Sequence, residues 1–287
     1  MPSLQHKTFD RLLRLIRFRH AYWRQFDGVK TPRRSFPSAA ERKRRPIGQK
    51  EFEGFPFLWF DPKAGKPDGY VIALHGGGYV AEASHGHLTS YAKLADLTGK
   101  RIYAPFYPLA PFHTPDAIRE WTQHFVEHVR EHRPDAPLLM TGDSAGANLA
   151  LQLIQTGTPV ERLVLWSPWL DVEGANPDIL ARDGACALIR ADGLQEFART
   201  YYGDSDPRDP LLSPIFREAE DLPPTLILSG DQDLFHADIA TYAATRAGQG
   251  APVTLETTPG VWHDFMLIPT PEARAALTRS AAFLCAS

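Results

Sequence analysis

The sequence predicts an α/β fold in which a mainly parallel sheet carries helices on both faces. Short apolar segments alternate with longer amphipathic segments from Glu51 onward, which is the pattern of successive strand–helix units. A Gly-x-Ser-x-Gly turn at residues 142–146 lies between one such strand and the next helix. The 287 residues are enough for one large domain with a substantial buried core.

The first fifty residues are strongly basic, with 14 Lys and Arg against 3 Asp and Glu. Their net charge is +11, so the remaining residues carry −14 within an overall charge of −3. Residues 8–26 predict an amphipathic, arginine-faced helix, and residues 31–50, rich in Pro, Arg and Ser, predict an irregular connector. We expect residues 1–50 to form part of a cap, because a sheet edge with a pocket needs a cover that excludes water. A helix on a membrane surface and a cleaved targeting segment are the alternatives.

The sheet and its helices are predicted in chain order from the apolar patterns. The predicted strands are residues 55–60, 70–74, 101–105, 138–141, 163–167, 225–229 and 253–257. The predicted helices are residues 86–98, 115–132, 145–155, 236–249 and 271–285. Parallel strands end at one edge of the sheet, where ligands bind. The polar residues expected at that edge are His75, Ser144, Asp231, Asp233 and His263.

Ser144 is the strongest candidate for a reactive side chain. Residues 138–141 enter as a buried strand and residues 145–155 leave as a helix, so Ser144 lies at the turn between them. Glycines two residues before and two residues after it leave room for a strained backbone and close strand–helix packing. A serine hydroxyl is a weak nucleophile at neutral pH, so it needs a base that a third group orients.

Candidates for the base and the orienting acid follow Ser144 along the chain. His263 lies on the loop after the last predicted strand and is the expected base. Asp233 follows the strand at 225–229 and is the expected acid, with Asp231 on the same loop as the alternative. The order serine, acid, histidine is typical of one class of serine hydrolases.

The glycine-rich stretch His75-Gly76-Gly77-Gly78 follows the predicted strand at 70–74. Gly76 and Gly77 can present backbone N–H groups to a developing oxyanion, because no side chain blocks the approach. Ala145, directly after Ser144, supplies a further donor. We expect His75 to fix this loop by hydrogen bonds rather than to catalyse. Phosphate binding is the alternative for the glycines, but the Lys-Ser/Thr signature that accompanies it is absent from the sequence.

With these motifs the sequence resembles the hormone-sensitive-lipase-like family of α/β-hydrolases, also called fold-3 esterases, over about residues 50–287. Three further stretches are similar to connecting motifs of that family, at residues 107–111, 167–171 and 209–214. The resemblance implies the α/β-hydrolase fold over residues 51–287, with a small helical cap built from the N-terminal segment and an insertion near residues 172–206. Ala147, in place of a glycine, and Asp233-Leu234-Phe235, in place of Asp-Pro-Leu, depart from the family pattern.

The resemblance also implies carboxylester hydrolysis through an acyl-enzyme, without a cofactor. We therefore expect a serine carboxylesterase for short- to medium-chain acyl esters, with Ser144, Asp233 and His263 as its catalytic triad. Lactone opening and removal of acetyl or formyl groups from amides use the same triad and stay open, as does ligand binding without turnover. The aromatic residues expected either as pocket walls or as core are Tyr79, Trp169, Tyr201 and Tyr202.

Metal binding is not expected. The two cysteines, Cys186 and Cys285, have no metal-ligand spacing and form no disulfide framework. The His-x-x-Glu-His pattern at residues 128–132 matches a zinc motif, but its histidines would flank the solvent side of a covering helix. His85-Gly86-His87 is expected to be a polar turn before a helix, with metal ligation or a place in the pocket wall as alternatives.

The expected cellular location follows from the absence of two kinds of segment in the sequence. No apolar run reaches the about 18 residues of a membrane helix, and no signal-peptide pattern opens the chain, so a cytoplasmic protein is expected. The expected partner is a small acyl ester and not a nucleic acid. A peripheral membrane contact through residues 8–26 and a homodimer stay open.

Overall fold

The computed structural model describes residues 1–16, 34–218 and 221–286. At its centre lies an eight-stranded sheet in the order β1-β2-β4-β3-β5-β6-β7-β8. Strand β2 pairs antiparallel with both β1 and β4, whereas β3 to β8 run parallel to one another. The strands are β1 Ile47–Phe52, β2 Phe55–Phe60, β3 Tyr70–Leu74, β4 Arg101–Pro105, β5 Leu139–Asp143, β6 Arg162–Trp166, β7 Thr225–Gly230 and β8 Val253–Thr258.

Helices cover both faces of this sheet. The two faces can be read from β3, because successive side chains of a strand point to opposite sides. Ile72 packs in a core cluster with Phe125, and Val71 packs in a second cluster with Leu94. The helices are α1 Leu4–Leu15, α2 Ala39–Arg44, α3 His85–Thr98, α4 Pro115–Glu131, α5 Ala145–Gln155, α6 Pro177–Ala181, α7 Ala191–Tyr202, α8 His236–Gly248 and α9 Pro271–Leu284.

The connector predicted as irregular is more ordered than expected in its described part, residues 34–50, which holds α2 and the start of β1. Ser38 begins α2 with a capping box: the Glu41 backbone N–H donates to Ser38 Oγ (3.2 Å), and the Ser38 N–H donates to Glu41 Oε2 (2.7 Å). Strand β1 is an edge strand without a buried residue, so its sequence lacks the apolar alternation that predicts a strand. The sheet consequently begins at Ile47, one strand before the first predicted strand at residues 55–60.

Helix α1 accounts for the first half of the amphipathic helix predicted at residues 8–26, and residues 17–33 lie outside the described part of the chain. Its inner face packs on the sheet domain: Leu13 is buried, and Asp10 Oδ1 accepts a hydrogen bond from Trp262 Nε1 (3.1 Å). Its outer face leaves Leu4 and Leu15 exposed. The membrane contact stays a prediction. Among the described residues, no helix combines the length and apolar character needed to cross a bilayer.

Candidate active site

Ser144 lies in the turn between β5 and α5, with φ +50° and ψ −115°. This backbone conformation is strained for a residue other than glycine, and such strain is concentrated at functional sites. Neighbouring strands hold the turn in place, because the Ser144 N–H donates to Trp166 O (2.9 Å) and the Trp169 N–H donates to Ser144 O (3.1 Å). Within the described residues the Ser144 hydroxyl caps no helix N–H, and it borders a cavity.

Close packing of α5 against the end of β3 leaves no room for a side chain at position 146, so this position requires glycine. A Cβ atom at this position would lie 2.1 Å from Leu74 O and 2.5 Å from His75 O, both backbone atoms. We expect Gly146→Ala to lower the free energy of unfolding by about 2 kcal/mol or more, because the backbone cannot yield locally. Gly184→Ala is the matched control, since no described atom lies within 4 Å of its Cβ position, and a change within about 0.5 kcal/mol is expected there. Urea unfolding measures both, and equal losses would contradict the packing argument.

The structure brings His263 together with Asp233. His263 Nδ1 lies 3.0 and 3.1 Å from the two carboxylate oxygens of Asp233, which is fully buried. Asp233 Oδ1 also accepts the backbone N–H of Phe235 (3.0 Å). Asp231, the alternative acid, contacts the backbone and not the imidazole: its Oδ1 accepts the N–H of Gly260 (2.7 Å). Asp231 therefore ties down the loop that carries His263, while Asp233 contacts the imidazole itself.

The other imidazole nitrogen, His263 Nε2, lies 3.1 Å from Asp264 Oδ2 and makes no hydrogen bond within the described residues. Burial acts to lower the pKa of His263, but the nearby carboxylates of Asp233 and Asp264 outweigh it and raise that pKa well above 6.5. Burial in turn raises the pKa of Asp264 to about 6. The imidazole thus has a carboxylate on each side.

Gly76 does not act as the sequence predicts. Its N–H donates to Asp143 Oδ2 at 2.9 Å, so it is not a free donor for an oxyanion. The same carboxylate oxygen lies 2.9 Å from His87 Nε2. Asp143 therefore fixes the start of the glycine-rich loop from inside the Gly-Asp-Ser-Ala-Gly motif.

Gly77 and Gly78 line the cavity beside Ser144. Their φ angles are +115° and +61°, which glycine adopts at little cost. Neither N–H makes a backbone hydrogen bond to another described residue. Ala145 is the first residue of α5, where the N–H has no partner within the helix. Among the described residues, three backbone N–H groups without a hydrogen-bond partner thus lie around the nucleophile turn.

His75 makes the loop contact that the sequence leads us to expect. Its Nδ1 lies 2.7 Å from Gly76 O, and its ring stacks on Tyr107 with centroids 4.3 Å apart. Burial, with His87 as a second cause, lowers the pKa of His75 to about 4. The neutral ring donates its Nδ1–H to Gly76 O.

Residues 85–87 do not form the polar turn that the sequence favours. They are the first residues of α3, and His87 lines the cavity, which was one of the alternatives. Three further residues of the site are not among those predicted from the sequence: Gly78, Asp143 and Asp264. Gly78 and Asp143 lie within the motifs themselves, so the signal was available, whereas nothing in the sequence around Asp264 marks it.

The cavity that joins these groups has a volume of about 310 Å³. Trp169 is the predicted aromatic wall residue that lines it. Tyr79 and Tyr201 instead stack on one another in the buried core, with centroids 3.7 Å apart. The apolar walls of the cavity come from α1, from the segment at 172–206 and from the sheet edge, and comprise Phe9, Leu13, Trp169, Leu188, Ile189, Leu194, Phe197, Leu267 and Ile268.

The zinc-like histidine pattern lies on the surface of α4 and at its end. His128 packs on the ring of Phe52, with centroids 4.7 Å apart, and His132 Nδ1 lies 2.8 Å from His128 O. Across the described ranges, no group of three or more His, Cys, Asp or Glu side chains is arranged to hold a metal ion.

Comparison with known proteins gives consistent matches to the fold of this chain. Residues 71–267 match a protein family described as alpha/beta hydrolase fold. The chain is 33% identical to an acetyl-hydrolase of Streptomyces hygroscopicus, over 75% of this chain and 74% of that protein. It is 34% identical to an ethyl acetate hydrolase of Pseudomonas putida, over 68% and 65% of the two chains. A crystal structure of an esterase from the bacterial hormone-sensitive lipase family superposes with a TM-score of 0.83 at 24% identity, covering 99% of both chains.

Proposed function

Because the chain belongs to the hormone-sensitive-lipase-like family of α/β-hydrolases and is a carboxylic ester hydrolase, we propose that it hydrolyses short- to medium-chain acyl esters through an acyl-enzyme on Ser144. The observation that carries this proposal is one shared cavity. Ser144, His263 and the two glycines with unpaired N–H groups all border it, and Asp233 contacts His263 from behind.

In the proposed reaction, Ser144 Oγ attacks the ester carbonyl while His263 Nε2 accepts its proton. Asp233 holds Nδ1–H and stabilises the imidazolium that forms. The negative charge on the tetrahedral intermediate is met by the N–H groups of Gly77, Gly78 and Ala145, and each such donor is worth about 2.7 to 4 kcal/mol of barrier. His263 then protonates the leaving alcohol and activates a water molecule that hydrolyses the acyl-enzyme.

The size and lining of the cavity support short acyl chains. Its volume of about 310 Å³ is at the lower end of the range for small-molecule pockets, about 300 to 1,000 Å³. Its wall is mainly apolar, which suits an acyl chain and excludes water from the reacting carbonyl. The relatives named acetyl-hydrolase and ethyl acetate hydrolase point to the same class of substrate.

Initial rates on p-nitrophenyl acetate, butyrate, octanoate and palmitate test the proposal. We expect turnover to be highest on acetate or butyrate, lower on octanoate and negligible on palmitate. If the folded protein turns over none of the four esters, the proposal fails, and lactones, N-acetyl amides and binding without turnover become the candidates.

The wall residue with the largest expected effect on chain length is Phe197 of α7. It lies against the glycine-rich loop at residues 75–78, since a Cβ at Gly78 would come within 2.5 Å of the Phe197 ring. We expect Phe197→Ala to raise the octanoate-to-acetate ratio of kcat/KM about tenfold, because a pocket discriminates by about that factor or more per methylene. Leu180→Ala is the control, because Leu180 of α6 is 63% exposed.

The Phe197→Ala variant is also expected to lose about 3 to 5 kcal/mol of stability, so rates should be compared well below its melting temperature. An unchanged chain-length profile in a folded Phe197→Ala protein would place the acyl chain elsewhere in the cavity.

A further inference from the structure

Asp264 is a buried carboxylate for which the proposed reaction has no role. It is 8% exposed and lines the cavity, and its Oδ1 has no hydrogen-bond partner within the described residues. Its other oxygen, Oδ2, lies 3.1 Å from His263 Nε2. A buried carboxylate oxygen without a partner is costly, so a purely structural role does not explain it.

The backbone holds Asp264 in this place. Its φ angle is +52°, a left-handed conformation that aspartate and asparagine adopt more readily than most residues. Its N–H donates to Ser167 Oγ (3.2 Å), which follows β6. The backbone conformation of Asp264 and its N–H bond to Ser167 therefore place the side chain beside the imidazole of His263.

Nε2 is the imidazole atom that must accept the Ser144 proton in the reaction proposed above. While Nε2 carries a proton and faces Asp264, its lone pair is not available to the serine hydroxyl. We propose, on the basis of that function, that Asp264 is a positioning residue whose carboxylate forms an ion pair with His263 at Nε2 in the substrate-free enzyme and so displaces catalysis toward alkaline pH.

The direction in which Asp264 shifts the pKa of His263 follows from the charges. Each carboxylate beside the imidazole favours its protonated form, and only the neutral form is a base. Removing the Asp264 charge therefore lowers the pKa of His263 and extends activity to lower pH. Asp233 continues to stabilise the imidazolium that forms during the reaction. The other titratable groups that interact with His263 or Asp264 are Asp233 after β7, Cys186 in the cap, Asp143 at the end of β5, and His87 and Tyr91 of α3.

The test is the pH profile of kcat/KM for Asp264→Asn and Asp264→Gly, both of which tolerate the positive φ. At pH 6 we expect kcat/KM, relative to each protein's own plateau, to be about tenfold higher in both variants than in the wild type. Glu196→Gln removes an exposed charge from α7 and should leave the profile unchanged. Asparagine removes the charge but keeps a side chain that can form a hydrogen bond, whereas glycine removes both. Equal profiles for the two variants would therefore show that the charge of Asp264, and not a hydrogen bond from it, causes the shift.

A second readout does not need turnover. The His263 Cε1–H resonance, assigned from its loss in His263→Gln, is followed against pH by ¹³C NMR in the wild type and in Asp264→Asn. The midpoint is expected to move to lower pH in the variant. An unmoved midpoint together with an unmoved acid limb overturns the role of Asp264 while the esterase assignment stands. A wild type without esterase activity overturns the proposed function, and the NMR midpoint still decides whether Asp264 controls His263.

Discussion

Ser144→Ala and His263→Ala should each lower kcat/KM for p-nitrophenyl acetate by about 10⁴- to 10⁶-fold, and the double variant should lose no more than the single ones. The nucleophile and its base act as one unit, so removing either removes the whole proton-coupled attack. What remains is catalysis by the backbone donors around the turn, which does not depend on either side chain.

The matched control for His263→Ala is His132→Ala. His132 is exposed at the end of α4 and belongs to the histidine pattern that resembles a zinc motif. We expect its activity to match the wild type within about twofold, since surface substitutions away from special features change little. Initial rates of p-nitrophenol release compare the four variants with the wild type, and the melting temperature of each protein is the check on folding. Equal rates for Ser144→Ala and the wild type would overturn the assignment of the nucleophile.

The parts of this site that could be predicted from sequence are those encoded locally. Ser144 is flanked by its own strand and helix within residues 139–155, so the local pattern alone indicates a nucleophile turn. The sheet likewise follows from apolar strands buried on both faces, such as β3 and β7. Strand β1 escaped prediction for the opposite reason, because an exposed edge strand needs no apolar residues.

The parts that could not be predicted depend on contacts between residues distant in sequence or on the exact backbone turn. The N–H of Gly76 is occupied by Asp143, which lies 67 residues later in the chain. Whether the first or the third glycine of the loop is free cannot be inferred from spacing alone. Asp264 reaches His263 Nε2 at a left-handed φ, and neighbouring residues in a sequence do not reveal which way a side chain turns.

Spacing also does not distinguish Asp233 from Asp231 as the orienting acid, because both follow β7 on one loop. The structure distinguishes them by their contacts: one carboxylate meets the imidazole and the other a backbone N–H of the next loop. Because the two contacts differ, substitution of Asp233 is expected to lower catalysis strongly, and substitution of Asp231 is expected to change it little.

Asp233→Asn should lower kcat by about 10⁴-fold, the loss known for the equivalent change in serine proteases. The amide oxygen of the new side chain keeps the bond from the Phe235 N–H, so the NH₂ group takes the place of Oδ2, 3.1 Å from His263 Nδ1. The imidazolium then lacks the carboxylate charge that stabilises it, and the NH₂ donor favours the tautomer with the ring proton on Nε2. An imidazole in that tautomer cannot take the proton of Ser144.

Asp231→Asn is the matched control, because an amide oxygen can still accept the N–H of Gly260. We expect its kcat to stay within about threefold of the wild type, so the two variants on one loop should differ by more than about 10³-fold. Single-turnover rates on p-nitrophenyl acetate, with both proteins shown to be folded, measure this difference. A large loss in Asp231→Asn with a small one in Asp233→Asn would transfer the orienting role to Asp231. It would also mean that the carboxylate contact at 3.0 Å is not the one used in catalysis, since only a carboxylate on Nδ1 leaves Nε2 free to act as the base.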